Sequence, residues 1–208
     1  MFDEPRQKML FEKVKKYFEV NKPDCLHNID HIIRVVFWAK LLSQKENADS
    51  SITIPAAILH DIAIPKYGDA NHAKKGAEMC RPFLKECGYS EEEIEKIAEA
   101  ISMHSVDDPR KPETLEACVL FDADKLDATG PAALYRWLAA YAKKGLMQHE
   151  ALQIMLSEIQ KLKKNYCGMP FFTRTGKQIG KERFKYLEEK CREILKDLER
   201  FKEAYKEL

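Results

Sequence analysis

The sequence lacks any uninterrupted apolar run close to the roughly 18 residues that indicate a membrane-spanning helix. Its opening residues, MFDEPRQKML, are charged and have none of the apolar centre that a secretory signal peptide needs. Stretches in which apolar and polar residues alternate, as they do in half-buried strands, are also missing. These absences predict a protein with no membrane association and almost no β-sheet.

The chain also lacks an excess of either charge, because 35 Lys and Arg residues face 34 Asp and Glu residues and leave a net charge of +1. No bulk attraction to polymeric nucleic acid or to an anionic membrane surface is therefore expected. No two cysteines form a C-x-x-C pair, which argues against a thiolate zinc site and against a disulfide framework. We interpret the six cysteines as reduced thiols of a cytoplasmic protein: Cys25, Cys80, Cys87, Cys118, Cys167 and Cys191.

Apolar residues recur with the period of an α-helix along nearly the whole chain. The 208 residues have the length of one domain. We predict an all-α helical bundle formed by residues 1–164, with a C-terminal helical extension, residues 165–208, that packs on it. Ser90 and Glu93 predict a capping box at the start of one helix. Nine helices are predicted, at about residues 5–20, 28–46, 52–63, 72–87, 90–104, 112–127, 131–144, 148–164 and 177–206.

A histidine faces the core in the segment LHNIDHIIRVVFWAKLL. His31 lies on the same helical stripe as Trp38 and Leu42, which must be buried, and Arg34 lies beside it. A lone inward histidine is more often a satisfied core residue than a metal ligand. The case for a ligand therefore depends on other donors elsewhere in the chain.

The segment AAILHDIA places His60 and Asp61 at the end of an apolar helix, where burying both costs several kcal/mol unless something satisfies them. Adjacent helical residues point about 100° apart, so the two are poor hydrogen-bond partners for each other but can reach one ion. In VLFDADKLDATG, Asp122, Asp124 and Asp127 resist joint burial without a cation; for Asp127 an exposed acidic helix end is the alternative. The donor set then comprises His31, His60, Asp61 and Asp124. Two imidazoles and two carboxylates suit a divalent ion such as Mn²⁺, Fe²⁺, Co²⁺, Ni²⁺ or Mg²⁺.

In this order the four donors resemble the H…HD…D signature of the HD-domain superfamily of metal-dependent phosphohydrolases. LHNIDHIIRV is similar to the H-D-x-x-H-x-x-R-V opening of a subgroup of small YedJ/YpgQ-like HD hydrolases, and DADKLDATG matches its D-A-D-[KR]-L-D-A-x-G. The tail FFTRTGKQIGKERFKYLEEKCREIL resembles the subgroup's T-x-x-G-x-x-[IL]-x-x-x-R ending. The resemblance extends from about residue 25 to residue 200 and implies a single HD-domain helical bundle.

Carried over by position, the resemblance implies four metal ligands: His31, His60, Asp61 and Asp124. Asn28 departs from the subgroup's pattern, which has Asp directly after its first histidine, and this leaves the carboxylate partner of His31 unassigned. His72 and His104 stand at places where some HD relatives hold a second metal or contact phosphate.

The chemistry that the resemblance implies is attack of a metal-activated water on phosphorus. Asp61 is expected to orient or deprotonate that water, and Asp127 to act as an outer base or to hold a ligand in place. His104 is the candidate for protonating the leaving oxygen, because an imidazole titrates near neutral pH. Arg34 and Lys125 are expected to neutralise the growing charge.

The implied substrate is a small phosphorylated molecule, by resemblance a nucleotide, contacted by Arg34, Lys125, His72 and His104. Two other functions stay open: a non-hydrolytic nucleotide or metal sensor, and a di-iron HD-type oxygenase. The intact set of four ligands argues against the sensor, and the oxygenase needs further ligands, which His72 and His104 could supply. A homodimer is compatible with the sequence but not required by it.

Overall fold

The computed structural model describes residues 2–105, 111–165 and 171–206. Within these ranges it contains ten α-helices and no strand, which confirms the all-α prediction. The helices are α1 (Pro5–Asn21), α2 (Ile29–Glu46), α3 (Ser50–Leu59), α4 (Ile64–Tyr67), α5 (His72–Glu86), α6 (Glu91–Ser102), α7 (Leu115–Asp127), α8 (Gly130–Lys143), α9 (Gln148–Asn165) and α10 (Arg174–Lys206). None of the helices described is both long and apolar enough to cross a membrane.

The helix predicted over residues 52–63 is shorter at its end than expected. α3 stops at Leu59, a turn covers residues 60–63, and α4 follows as a single short helix. Pro65 explains the break, because its ring would collide with the carbonyl of Asp61 in a continuous helix and it has no N–H to donate. The turn leaves His60 and Asp61 buried, at 0% and 2% exposure.

Helix α3 forms the centre of the bundle. Every residue from Ile52 to Leu59 is buried, and α1, α2, α6 and α7 pack around it. Burial of each isoleucine or leucine side chain among them stabilises the fold by about 1.5–3 kcal/mol. The end of this well-packed helix carries His60 and Asp61 into the space between α2 and α7.

Helix α10 is the longest helix described, with 33 residues, and it packs against α2, α7, α8 and α9. The division of the chain at residue 164 stays a prediction. Residues 106–110, between the helices predicted at about 90–104 and 112–127, lie outside the described residues, and so does Cys167. The other five cysteines are free thiols.

Candidate metal centre

Four buried histidines from different segments meet in two pairs. The Nε2 atom of His31, in the first turn of α2, lies 3.1 Å from the Nε2 atom of His60. The Nε2 atom of His72, the first residue of α5, lies 3.0 Å from the Nε2 atom of His104, just beyond α6. His72 is 8% exposed and the other three are at most 2% exposed, so little water reaches these nitrogens.

The opposite ring nitrogen, Nδ1, of each histidine lies within hydrogen-bonding distance of an oxygen. The acceptors are Asp127 Oδ2 for His31 at 2.7 Å, the Ala57 carbonyl for His60 at 2.9 Å, the Asp69 carbonyl for His72 at 2.6 Å and the Ile101 carbonyl for His104 at 2.6 Å. Because carbonyls and carboxylates only accept, each Nδ1 carries the proton and each neutral ring has a bare lone pair on Nε2. Two such lone pairs about 3 Å apart need a proton or a metal cation between them.

Asp61 lies between the two histidine pairs. Its Oδ2 atom is 3.3 Å from His31 Nε2 and 3.2 Å from His60 Nε2. Its Oδ1 atom is 3.8 Å from His72 Nε2 and 3.7 Å from His104 Nε2. Asp61 Oδ2 is nevertheless buried without any hydrogen-bond partner, which is costly for a charged oxygen unless a cation binds it.

Asp124 adds a second carboxylate to the first pair. Its Oδ1 atom lies 3.4 Å from His31 Nε2, and its Oδ2 atom accepts a hydrogen bond from Lys125 Nζ at 2.6 Å. Two sets of three residues each bring their donor atoms within 4.8 Å of one another. The first set is His31, His60 and Asp124, and the second is His60, Asp61 and His104. Bare imidazole nitrogens and an unpartnered carboxylate oxygen are what a divalent cation requires, so the residues fit a metal.

Burial and neighbouring charges act on the pKa values of these groups in opposite directions. Burial by itself would raise the pKa of Asp61, but the neighbouring imidazoles, His60 foremost, hold it well below its usual range. Burial lowers the pKa of His104 to about 4, so its imidazole is neutral at pH 7. Burial would also lower the pKa of His60, but the charges of Asp61 and Asp124 outweigh burial and raise it to about 9. Binding of a cation at His60 Nε2 would therefore have to displace a proton.

Asp127 is fully buried, so it does not form an exposed acidic helix end. Besides accepting from His31 Nδ1, its carboxylate accepts from Arg34 Nε at 2.6 Å and from Arg136 Nη1. Asp127 thus fixes the ring orientation and tautomer of His31. It is the carboxylate partner that the sequence left unassigned at Asn28, whose Oδ1 atom instead caps α2 by accepting from the His31 N–H.

A cleft of about 230 Å³ opens beside these donors. Its lining includes Asp61, Asp124, Lys125 and Arg136. Arg34 is not part of the lining and is held by Asp127, so its contact with substrate stays a prediction. Lys125 and Arg136 supply the positive charge that faces the cleft.

The HD-domain family model matches residues 28–129, about half of the chain, and this range includes all four histidines and both carboxylates of the centre. The chain belongs to the HD-domain superfamily.

Similar HD-domain proteins cover the chain to different extents. YpgQ of Bacillus subtilis is 27% identical over 180 residues, which are 83% of this chain and 84% of YpgQ. A crystal structure of YpgQ in complex with ADP has a TM-score of 0.68 at 22% identity and covers 92% of this chain and 97% of YpgQ. A structure of an HD-superfamily hydrolase from Bacillus thuringiensis has a TM-score of 0.72 at 25% identity, with 93% and 96% covered. The chain therefore has the fold of the HD-superfamily hydrolases.

Ribonuclease Y is a larger relative. The protein from Alkaliphilus metalliredigens is 27% identical over 155 residues, which are 73% of this chain but 28% of the ribonuclease. The chain thus spans roughly a quarter of the ribonucleases Y that it matches.

Two polar cleft residues lie outside the matched HD range, and no pattern in the sequence assigned either of them a role: His27 and Arg136. His27 was detectable, because it precedes His31 by four residues, the spacing of one helical turn. In the structure its Nδ1 atom lies 2.9 Å from Asp24 Oδ1. Burial would lower the pKa of His27, but Asp24 outweighs it and the pKa is raised. The residues near Arg136 in the sequence indicate no role for it, because the carbonyl to which it donates belongs to Leu26, 110 residues away.

Proposed function

We propose that this HD-domain protein is a metal-dependent phosphohydrolase that cleaves phosphoester or pyrophosphate bonds of nucleotides. The observation that carries the proposal is the convergence of four imidazole Nε2 atoms on the buried carboxylate of Asp61, one of whose oxygens has no hydrogen-bond partner. The complex of YpgQ with ADP supports a nucleotide as the ligand class. A nucleotide substrate and the free thiols also agree with a cytoplasmic location.

The proposed ligands of the first ion are His31, His60, Asp61 and Asp124. Asp61 Oδ1, His72 and His104 form a second donor group beside it, which would hold a second ion. A divalent ion such as Mn²⁺, Fe²⁺, Co²⁺, Ni²⁺ or Mg²⁺ supplies a water of lowered pKa and polarises a phosphoryl oxygen.

The chain's own cations and acids would perform the remaining steps. Lys125 and Arg136 line the cleft, unlike Arg34, and their charges are placed to attract phosphoryl oxygens although Lys125 also donates to Asp124 and Arg136 to Asp127. We assign protonation of the leaving oxygen to His27, because it lines the cleft and its pKa is raised. His104 suits a ligand role better, because its ring is neutral and its Nε2 atom faces Asp61.

The size of the cleft limits how much of a nucleotide it encloses. Sites that enclose a whole ligand usually measure about 300–1,000 Å³, whereas this cleft measures about 230 Å³. We therefore expect the phosphates to enter and the base to stay largely outside, and we propose that Trp137, which is part of the lining, contacts the base. Discrimination between bases should then be weak.

The first experiment measures metal content of protein purified without chelators. Release of phosphate or pyrophosphate is then assayed with nucleoside mono-, di- and triphosphates and a short RNA, each with Mn²⁺, Co²⁺, Ni²⁺ or Mg²⁺. Asp61→Asn is compared with Asp197→Asn, whose carboxylate is 63% exposed on α10. We expect turnover in the wild type and in Asp197→Asn, and loss of at least two orders of magnitude in Asp61→Asn.

The outcomes separate the competing functions. Turnover that survives in Asp61→Asn would remove the metal mechanism. Cleavage of RNA alone would favour a ribonuclease, as the similarity to ribonuclease Y suggests. Two tightly bound irons without hydrolysis would favour the oxygenase, and nucleotide binding without any turnover would favour the sensor.

A further inference from the structure

The C-terminal helix α10 is attached to both ends of the α7 segment that carries Asp124 and Asp127. One attachment lies at Asp122, near the middle of α7, and the other at the corner where α7 ends and α8 begins. In both attachments the contacting residues of the tail (Phe172, Thr173 and Arg183) lie beyond the matched HD range, and their partners lie within it. Neither contacts the cleft directly.

The first attachment joins Asp122 to the start of α10. The fully buried carboxylate of Asp122 accepts hydrogen bonds from the Phe172 N–H at 2.8 Å, the Thr173 N–H at 2.7 Å and the Thr173 hydroxyl at 2.6 Å. Thr173 Oγ1 in turn accepts from the Gly176 N–H at 2.9 Å and caps α10. A carboxylate at the N-terminus of α10 is favourable, because that end of a helix carries partial positive charge. A side chain at Gly176 would collide with Asp122.

The second attachment is made by Arg183. Its Nε atom donates to the Leu126 carbonyl and to Thr129 Oγ1, both at 3.2 Å, and its Nη2 atom donates to the Thr129 carbonyl at 2.6 Å. The Leu126 carbonyl lies in the last turn of α7, where partial negative charge favours a cation, and Thr129 is the N-cap of α8. The guanidinium also lies 4.7 Å from the ring centre of Trp38 on α2.

Arg183 contacts the corner between α7 and α8, and residues of the metal centre or its cleft lie on both sides of this corner. Leu126 and Thr129 flank Asp127, and Asp124 lies one turn earlier on α7. Beyond Gly130 the chain continues as α8 to Arg136, which lines the cleft. Gly130 has φ +74°, and an added Cβ there would lie 2.7 Å from Arg183 Cζ, so the corner fits closely around the guanidinium.

We propose that Arg183 is a positioning residue for the metal centre, holding the end of α7 so that Asp124 and Asp127 keep the geometry that an ion requires. The inference rests on the proposed function in that it takes the donors around Asp61 to be metal ligands. Removing a residue that holds a metal ligand in position typically weakens metal affinity by about 10–100-fold.

The test compares Arg183→Met, Arg183→Lys and the control Arg192→Met. Arg192 lies on the same helix, is 57% exposed and pairs only at the surface, with Glu188. Ion-free protein is titrated with Mn²⁺ alone, and free Mn²⁺ is measured by electron paramagnetic resonance, with Tm recorded in parallel. We expect the Mn²⁺ dissociation constant to rise at least about tenfold in Arg183→Met and to stay within about twofold of wild type in Arg192→Met. Arg183→Lys should recover part of the affinity, because lysine keeps the charge but cannot bind two carbonyls in a fork.

An unchanged Mn²⁺ dissociation constant in Arg183→Met, even with a lowered Tm, would overturn the inference, because Arg183 would then be structural only. If Arg183→Met does not fold, Arg183→Lys decides: a rise of about threefold or more supports the inference, and a smaller one overturns it. A wild type that binds Mn²⁺ but hydrolyses no nucleotide would refute the proposed function. The role of Arg183 would then still be decided by the Mn²⁺ dissociation constants of the variants. A wild type that binds no divalent ion overturns both.

Discussion

Replacing Asp127 by Asn tests whether this buried carboxylate prepares His31 to bind an ion. The substitution keeps the size of the side chain but removes its charge. The new carboxamide would retain one acceptor oxygen, while its amino group would face a donor, either His31 Nδ1–H or a guanidinium of Arg34 or Arg136. The His31 ring would lose the contact that fixes its tautomer.

The size of the effect follows from these contacts. Loss of the carboxylate behind a metal-binding histidine lowers metal affinity by about 10–100-fold, or about 1.4–2.8 kcal/mol. The fold should also lose about 1.5–3 kcal/mol, the net worth of a hydrogen bond to a charged group. Both losses arise at one buried residue, so they should appear together in Asp127→Asn.

The assay is Mn²⁺ titration of the ion-free protein combined with urea unfolding. The control is Ser43→Ala on the same helix as His31, which removes hydrogen bonds of 2.7 Å to the Ala39 carbonyl and to Thr53 Oγ1. This control should lose about 1 kcal/mol of stability without any change in Mn²⁺ affinity. The reasoning is refuted if Asp127→Asn binds Mn²⁺ as tightly as the wild type, or if Ser43→Ala weakens binding equally.

Three further predictions concern the ion, the α10 attachment and a surface ion pair. Adding Mn²⁺ at about 100 times its dissociation constant should stabilise the chelator-treated protein by about 2.7 kcal/mol and raise its Tm by about 5–10 °C; calorimetry showing no shift would contradict ion binding to the folded state. Gly176→Ala should lower the free energy of unfolding by about 1–3 kcal/mol, because its Cβ meets Asp122, whereas the exposed neighbour Lys177→Ala should change it by less than about 0.5 kcal/mol in urea titrations. The hydrogen bond from Arg6 lowers the pKa of Glu93 from 4.5 to about 2. Because the folded-state pKa is the lower one, the pair stabilises the fold above pH 4.5 and loses that contribution as the pH falls towards 2. The deficit of Glu93→Gln, about 0.2–1 kcal/mol at this partly exposed pair, should vanish across that range, and a constant deficit would contradict the assignment.

Local patterns in the sequence were sufficient for much of the architecture. The helical period is set by residues three and four apart, and nine of the ten described helices lie where that period predicts them. The capping box of Ser90 and Glu93 is also confirmed, because its hydrogen bonds join residues only three positions apart. The His60–Asp61 dipeptide and the acidic segment pointed to a metal site because charged groups in apolar segments need a partner.

Other features depended on contacts that no local pattern records. The acceptor of His31 Nδ1 is Asp127, 96 residues away, and Arg136 reaches the Leu26 carbonyl across 110 residues. Sequence patterning could not decide between a buried and an exposed Asp127, because that depends on where α2 and α8 pack. The sequence pattern also gave no role to Arg183, whose partners are backbone carbonyls at the corner between α7 and α8.

The sequence by itself determined the positions of most helices and the order of the donors, and it predicted a metal site near His60 and Asp61. Only the tertiary structure decided which lone pairs meet, because the direction of an imidazole nitrogen depends on the oxygen that binds its other nitrogen. Three of those oxygens are backbone carbonyls three residues away, whereas the fourth belongs to a carboxylate that the packing of α7 against α2 brings into place.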